Sequence, residues 1–193
     1  LVGASGSGKR SVMKNAMKDW TDFVEWELDQ RITDSLELDR QLAGVLGLNS
    51  SDVEEAIHKG PRRIVLVRRL ERLYRREIGG YDALKRFVDI VTATGNRIMW
   101  VIQTNDIAFS FIDGIYGLGR MSSRVLKIEP FGRKELEEML MHRLHFTGYH
   151  YFFLPDLELS EKAKKKLKDQ KKIRTMFFDR IFELSLGNPL AAL

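Results

Sequence analysis

The chain has 193 residues, 44% of them hydrophobic and 31% charged, enough for one generous domain or for a domain with a small second one. It carries a net charge of +5 and no cysteine, which excludes a disulfide scaffold and any thiolate metal site, and its four histidines lack zinc spacing. The densest apolar run, residues 98–102, is the length of a buried strand and far short of the ~18–20 residues that cross a bilayer, so no membrane crossing is expected and the cytoplasm is the default location.

The opening residues carry the strongest signal. Leu1 and Val2 read as the end of a buried strand. Gly3, Ala4, Ser5, Gly6, Ser7, Gly8 and Lys9 match the phosphate-loop spacing G-x-x-x-x-G-K, and Val12, Met13, Ala16, Met17 and Trp20 then recur at helical spacing. Glycines without Cβ let successive backbone N–H groups turn toward a polyphosphate. The following helix aims its positive end at it, and Lys9 reaches the outer phosphates. A Gly/Ser turn before an ordinary helix is the alternative. The pattern departs from the motif at its last position, where Arg10 replaces the hydroxyl that ligates magnesium; Ser11 comes one residue late, about 100° further round the helix. With no initiator Met and barely two residues before this loop, the chain is expected to be a piece of something longer.

Next, Phe23, Glu25 and Glu27 alternate with Val24, Trp26 and Leu28 as a strand does. Leu36, Leu38, Leu42, Val45 and Leu46, then Val53, Ala56 and Ile57, mark two helical segments, with Ser50 or Ser51 as the cap of the second. Residues 64–67 are a β-branched, apolar run, the mark of a strand buried on both faces of a parallel sheet. Leu84, Phe87, Val88 and Val91 share a helix face that stops at Gly95. Residues 98–102 form the next strand and run into Gln103, Thr104, Asn105 and Asp106, followed by a helix over about 107–116 and a short strand at 125–128. This alternation implies right-handed crossovers, a parallel sheet and a ligand at its carboxyl ends.

From Pro130 on, only helices are predicted. One carries Leu136, Met139, Leu140 and Leu144; a polar one carries Ala163 and Leu167; a third carries Met176, Phe177, Ile181, Phe182 and Leu184; a last one starts at Asn188 and Pro189. Seven arginines lie between Arg62 and Arg76, and eight lysines and arginines between Lys162 and Arg174. Such clusters can meet phosphates, although a solvated helix face explains the second equally well.

The phosphate loop, the strand ending in Thr104 and Asn105, the arginines before the last strand, Pro130 and Phe131 ahead of a helical segment, and the terminal Gly187, Asn188 and Pro189 together resemble the AAA+ ATPases, within the P-loop NTPases, over nearly the whole chain. The resemblance implies an α/β fold: a P-loop parallel sheet flanked by helices over residues 1–129, its first strand truncated, and a small C-terminal helical lid over 130–193, truncated at its end. It also implies a nucleotide cofactor, ATP or ADP, held by residues 3–11, and self-association through the core. In that family an apolar run ending in two acids holds magnesium and polarises the attacking water. The match here ends in Arg68 and Arg69, with Glu71 the nearest carboxylate.

Asn105 matches the residue that positions the attacking water, with a helix cap as the alternative. Arg120 and Arg124 lie where the family places a finger acting on a neighbouring subunit's nucleotide, with surface arginines as the alternative. Leu190 stands where an arginine of the lid often contacts phosphate. Guanidinium groups cannot coordinate magnesium, so Arg10 and Arg68 argue against Mg2+-dependent hydrolysis while leaving nucleotide retention open. The expected function is a nucleotide-dependent switch with weak or absent hydrolysis. The alternatives are an active ATPase with Glu71 as a displaced acid, and an interaction module that binds nucleic acid weakly and unselectively through its basic segments, with no nucleotide.

Overall fold

In the computed structural model, residues 1–21, 23–50, 52–154 and 169–193 are described. Ser51, one of the two expected caps, and the expected polar helix at Ala163 and Leu167 lie outside them. The chain divides into two compact units, residues 1–5 with 9–128, and residues 6–8 with 129–193. None of the described helices is long and apolar enough to cross a membrane.

The first unit alternates strands and helices: β1 (Val2–Gly3), α1 (Lys9–Ala16), β2 (Phe23–Glu27), α2 (Ser35–Leu46), α3 (Val53–Lys59), β3 (Arg63–Arg68), a 3-10 turn (Leu70–Leu73), α4 (Asp82–Thr94), β4 (Ile98–Gln103), α5 (Asp106–Tyr116), α6 (Leu118–Met121) and β5 (Lys127–Ile128). All pairings are parallel. β2, β3 and β4 lie side by side in that order, β1 pairs with β5, and a bridge between Val2 and Thr104 joins β1 to the end of β4. Order across the sheet is therefore β5, β1, β4, β3, β2, the α/β arrangement that the alternation predicts.

β3 is buried on both faces because it lies between β2 and β4 with helices packed on either side. One face sets Val65 and Val67 with Trp26 of β2 against Leu38, Leu42, Leu84 and Phe87 of the helices. The other sets Leu66 against Met13 and Met17, with Phe23 and Val101 beside it. Helix α1 is shorter and narrower in its apolar stripe than the spacing predicts: Met13 and Met17 are buried, whereas Val12 and Trp20 face water. Helix α3 is capped by Asp52, whose carboxylate accepts from Glu55 N–H at 3.0 Å, while Ser50 Oγ accepts from the N–H of Asp52 itself. A carboxylate at the N-terminus also answers the helix dipole, which a serine does not. Arg86 of α4 ties three helices, forking onto Asp39 of α2 at 3.0 and 3.1 Å and pairing with Glu54 of α3. These pairings raise its pKa against the opposing effect of burial.

The second unit contains α7 (Arg133–Phe146) and α8 (Gln170–Ser185). They meet through Leu136, Leu140 and Phe178, and Glu137 of α7 pairs both with Arg133 and, at 2.7 Å, with Arg174 of α8. The buried face of α8 matches the predicted one only at Ile181 and Phe182. Ile173, Phe178, Ile181 and Phe182 pack inward, whereas Met176, Phe177 and Leu184 are exposed. With aromatics at 177, 178 and 182, several faces satisfied a helical period, and the partner helix selected among them. After α8 the chain makes a turn in place of the predicted last helix, its N–H groups at Leu190 and Ala191 capped by Asn188.

Phe87 has no exposed surface, lies 6.2 Å from the Trp26 ring and meets the Trp100 ring edge-on at 5.6 Å. Phe87→Ala is expected to cost about 3–5 kcal/mol, by lost burial and the cavity left between two indoles. Urea unfolding followed by tryptophan fluorescence measures it.

Candidate nucleotide site

Because every strand runs the same way, the connections leaving their carboxyl ends gather on one edge of the sheet. Between β1 and α1, Gly6 and Gly8 hold φ angles of +80° and +87°, a left-handed backbone that an L side chain rarely adopts. Lys9 opens α1, and its Nζ donates to the carbonyl oxygens of Gly3 and Ala4, each at 2.7 Å, so the ammonium closes the loop from inside. Burial lowers its pKa, opposed by the carboxylates of Glu71 and Asp106 nearby. Ser7 Oγ is buried with no hydrogen-bond partner among the described residues. A phosphate oxygen would satisfy such a donor, so the loop fits the polyphosphate of a nucleotide.

The arginines at the departure positions have acids of their own. Arg10 is exposed and pairs with Glu27 at the end of β2, at 3.2 Å. Arg68 ends β3 with its side chain only 7% exposed; its Nε pairs with Glu25 of β2, and its Nη1 donates to Gln103 of β4 at 3.2 Å. Arg69, at a φ of +61°, reaches Glu27 at 3.5 Å and Asp29 at 3.3 Å. Two acids of β2 thus balance the bases that follow, because β2 and β3 are neighbours in register, Glu27 opposite Arg68. From the sequence, Arg10 and Arg68 argue against a magnesium ligand set without showing these partners. Each side chain is held by a carboxylate of β2. Among the described residues there is no group of three or more His, Asp or Glu placed to hold a metal ion.

Glu71 has a different setting. The 3-10 turn after β3 carries it toward β4, where Thr104 Oγ1 donates to its Oε2 at 3.1 Å. Thr104 is itself buried, and its N–H donates to the carbonyl of Leu1 at 3.1 Å. The chain Leu1, Thr104, Glu71 therefore places a carboxylate beside the strand that launches the loop. Asn105 uses its side-chain oxygen to cap α5, accepting from Ala108 N–H at 2.7 Å, which is the helix-cap alternative. Arg120 and Arg124 are both exposed, and a Cβ built at Gly117 would lie 3.2 Å from Arg120 Nη2. Ser11 is exposed on α1.

Of the candidates, Lys9 and Glu71 are brought together. Thr104, which bonds Glu71, and Asp106, whose charge acts on Lys9, were passed over, as were Glu25, Glu27 and Gln103. No spacing rule links these residues, since their proximity arises from the order of strands in the sheet.

Compared by shape, the chain is similar to the Orc1 protein of Aeropyrum pernix, solved in complex with DNA, over 96% of this chain and 54% of that one, at 14% identity and a TM-score of 0.50. It is similar to PCH-2 of C. elegans over 100% and 51%, at 15% identity and 0.52, and to AMPPCP-bound DnaA of Aquifex aeolicus over 100% and 56%, at 15% identity and 0.48. The chain spans about half the length of each. By sequence it matches no protein-family model and no curated protein.

Substituting the family's acid, Arg68→Asp, would set two carboxylates against each other at Glu25. Breaking a buried pair costs roughly 3–5 kcal/mol, and the partial exposure of Glu25 puts the expected loss near about 3 kcal/mol. Chemical denaturation checks it, and Glu25→Gln in the same background is expected to recover part of the loss.

Proposed function

We propose that this chain, whose fold is that of the AAA+ P-loop NTPases, binds ATP or ADP at residues 3–11 and acts as a nucleotide-dependent switch with weak or absent hydrolysis. The observation that carries this reading is the loop itself: two glycines in left-handed conformation, Lys9 turned onto the carbonyls of Gly3 and Ala4, and an orphaned Ser7 hydroxyl. Lys9 would leave those carbonyls for phosphate, where a charge-assisted hydrogen bond is stronger.

Magnesium does not fit the positions where the family holds it. Arg10 and Arg68 have no lone pairs to offer, and Glu27 and Glu25 already occupy their guanidinium groups. Self-association through the core belongs to the same proposal, with the exposed Arg120 and Arg124 as the residues that would reach a neighbouring copy's nucleotide.

Titration calorimetry with ATP and with ADP tests the proposal. Lys9→Ala is expected to weaken binding about 10- to 100-fold, the worth of a charged hydrogen bond, and excess chelator to change the parent's affinity little. No binding by the parent, or equal binding by the variant, refutes it.

A second reading rests on the bond from Thr104 to Glu71, which sets a carboxylate near Lys9 without the usual acids. On this reading the chain is an ATPase in which Glu71 polarises the attacking water. Its expected outcome is phosphate release by the parent that Glu71→Gln abolishes while nucleotide affinity is retained. Failure to release phosphate leaves the switch.

A further inference from the structure

The connection from β3 to α4 is built to hold one apolar side chain out into water. After the 3-10 turn the backbone closes on itself: Arg75 N–H donates to the carbonyl of Gly80 at 2.8 Å, Gly80 N–H to that of Glu77 at 3.1 Å, and Glu77 N–H to that of Arg75 at 2.9 Å. The two ends of this loop are clamped by rings. Tyr74 and Tyr81 stack with their centroids 6.0 Å apart and their planes 8° from parallel, and both rest on Phe111 of α5, at 5.2 and 6.0 Å. At the tip stands Ile78, fully exposed at 106% of its reference surface.

A single exposed isoleucine is ordinary. This one stands on a connection rich in arginine. Arg72, Arg75 and Arg76 come from the same connection. Arg31 comes from the β2 to α2 connection, which is drawn alongside by the N–H of Ile32 donating to the carbonyl of Arg72 at 3.0 Å. Arg31 and Arg76 are close enough to act on the Tyr74 hydroxyl, and Arg76 lies over the Phe111 ring at 5.4 Å. The acids are fewer: Glu77 pairs with Arg75 at 3.1 Å, Glu71 is turned inward to Thr104, and Asp82 opens α4.

An aliphatic tip on a clamped, arginine-rich loop matches one partner better than others. A lipid surface needs a broader apolar face than one side chain supplies, and a stable protein interface needs roughly 1,000 Å² or more of contact. Duplex DNA presents phosphates on both sides of a base step that an aliphatic wedge can part from the minor groove. We propose that the loop between Tyr74 and Tyr81 is a DNA-contacting wedge, in which Arg31, Arg72, Arg75 and Arg76 hold backbone phosphates and Ile78 enters between base pairs. The proposal does not depend on nucleotide binding.

The test uses the whole chain without nucleotide and a short mixed-sequence DNA duplex containing 2-aminopurine, read by fluorescence anisotropy over a salt series and by 2-aminopurine emission. The parent is expected to bind at low salt and to brighten the probe as the step unstacks. The Arg75→Ala, Arg76→Ala double variant is expected to weaken binding at least about tenfold and to lower the slope of log affinity against log salt by about 2. Ile78→Ser is expected to keep the slope, lose several-fold in affinity and leave the probe dark. All three positions are exposed, so circular dichroism should confirm intact folds. The proposal is overturned if the parent fails to bind, or if the double variant keeps the parent's affinity and slope, which would move DNA binding to another basic segment. It is equally overturned if Ile78→Ser still brightens the probe, or if phosphatidylserine vesicles or polyglutamate bind as tightly with the same dependence on Ile78.

Discussion

The parallel pairing of Val2 with Thr104 is the contact on which the candidate site depends. It is a single bridge between a two-residue strand and the end of a six-residue one, reinforced by Thr104 N–H donating to the carbonyl of Leu1 at 3.1 Å. Through it the phosphate loop is placed next to the end of β4, and through β4 next to β3. Without it, Lys9 and Glu71 would belong to separate sheets.

How charge is balanced at the carboxyl ends of the strands separates this chain from the pattern it resembles. Acids stand at the end of β2 and bases at the end of β3, where the family has acids on β3. Buried guanidinium is costly unless paired and hydrogen-bonded, and Arg68 meets both conditions through Glu25 and Gln103, one on each flanking strand. The pairing makes Arg68 part of the sheet's framework and leaves it little freedom to serve a ligand. What remains for phosphate is the loop's backbone N–H groups, the positive end of α1 and Lys9. On the proposed reading this set would hold the nucleotide, while the carboxylates at the ends of β2 and β3 are taken up by Arg10, Arg68 and Thr104.

The aromatic residues divide the labour on the other face. Trp26, Phe87 and Trp100 fill the interior, with the Trp100 indole N–H donating to Thr94 at 3.1 Å so that no polar atom of the cluster is stranded. Tyr74, Tyr81 and Phe111 instead sit half-buried at the edge of the first unit and stiffen a loop. Rings lose little conformational freedom on packing, which suits them to both tasks.

A glycine-rich turn ahead of the first helix, the succession of strands and helices along the chain, and the strand buried on both faces were legible from sequence alone. Each rests on interactions between residues close in the chain: glycine freedom at fixed spacing, hydrophobic period, and caps at helix ends. The parallel sheet followed because alternating strands and helices have few other ways to bury their faces. Which face of α8 turns inward was not legible, since several faces carried apolar residues and only the partner helix chose. Nor was the pairing of Glu25 with Arg68, or of Thr104 with Glu71, separated by 43 and 33 positions in the chain. Those contacts exist only once strands from distant parts of the chain lie side by side in register. The sequence by itself determined that a glycine-rich loop precedes a helix in an α/β core; the tertiary structure alone decided which acids meet which arginines, because charge pairs form across a sheet whose strand order local residues do not encode.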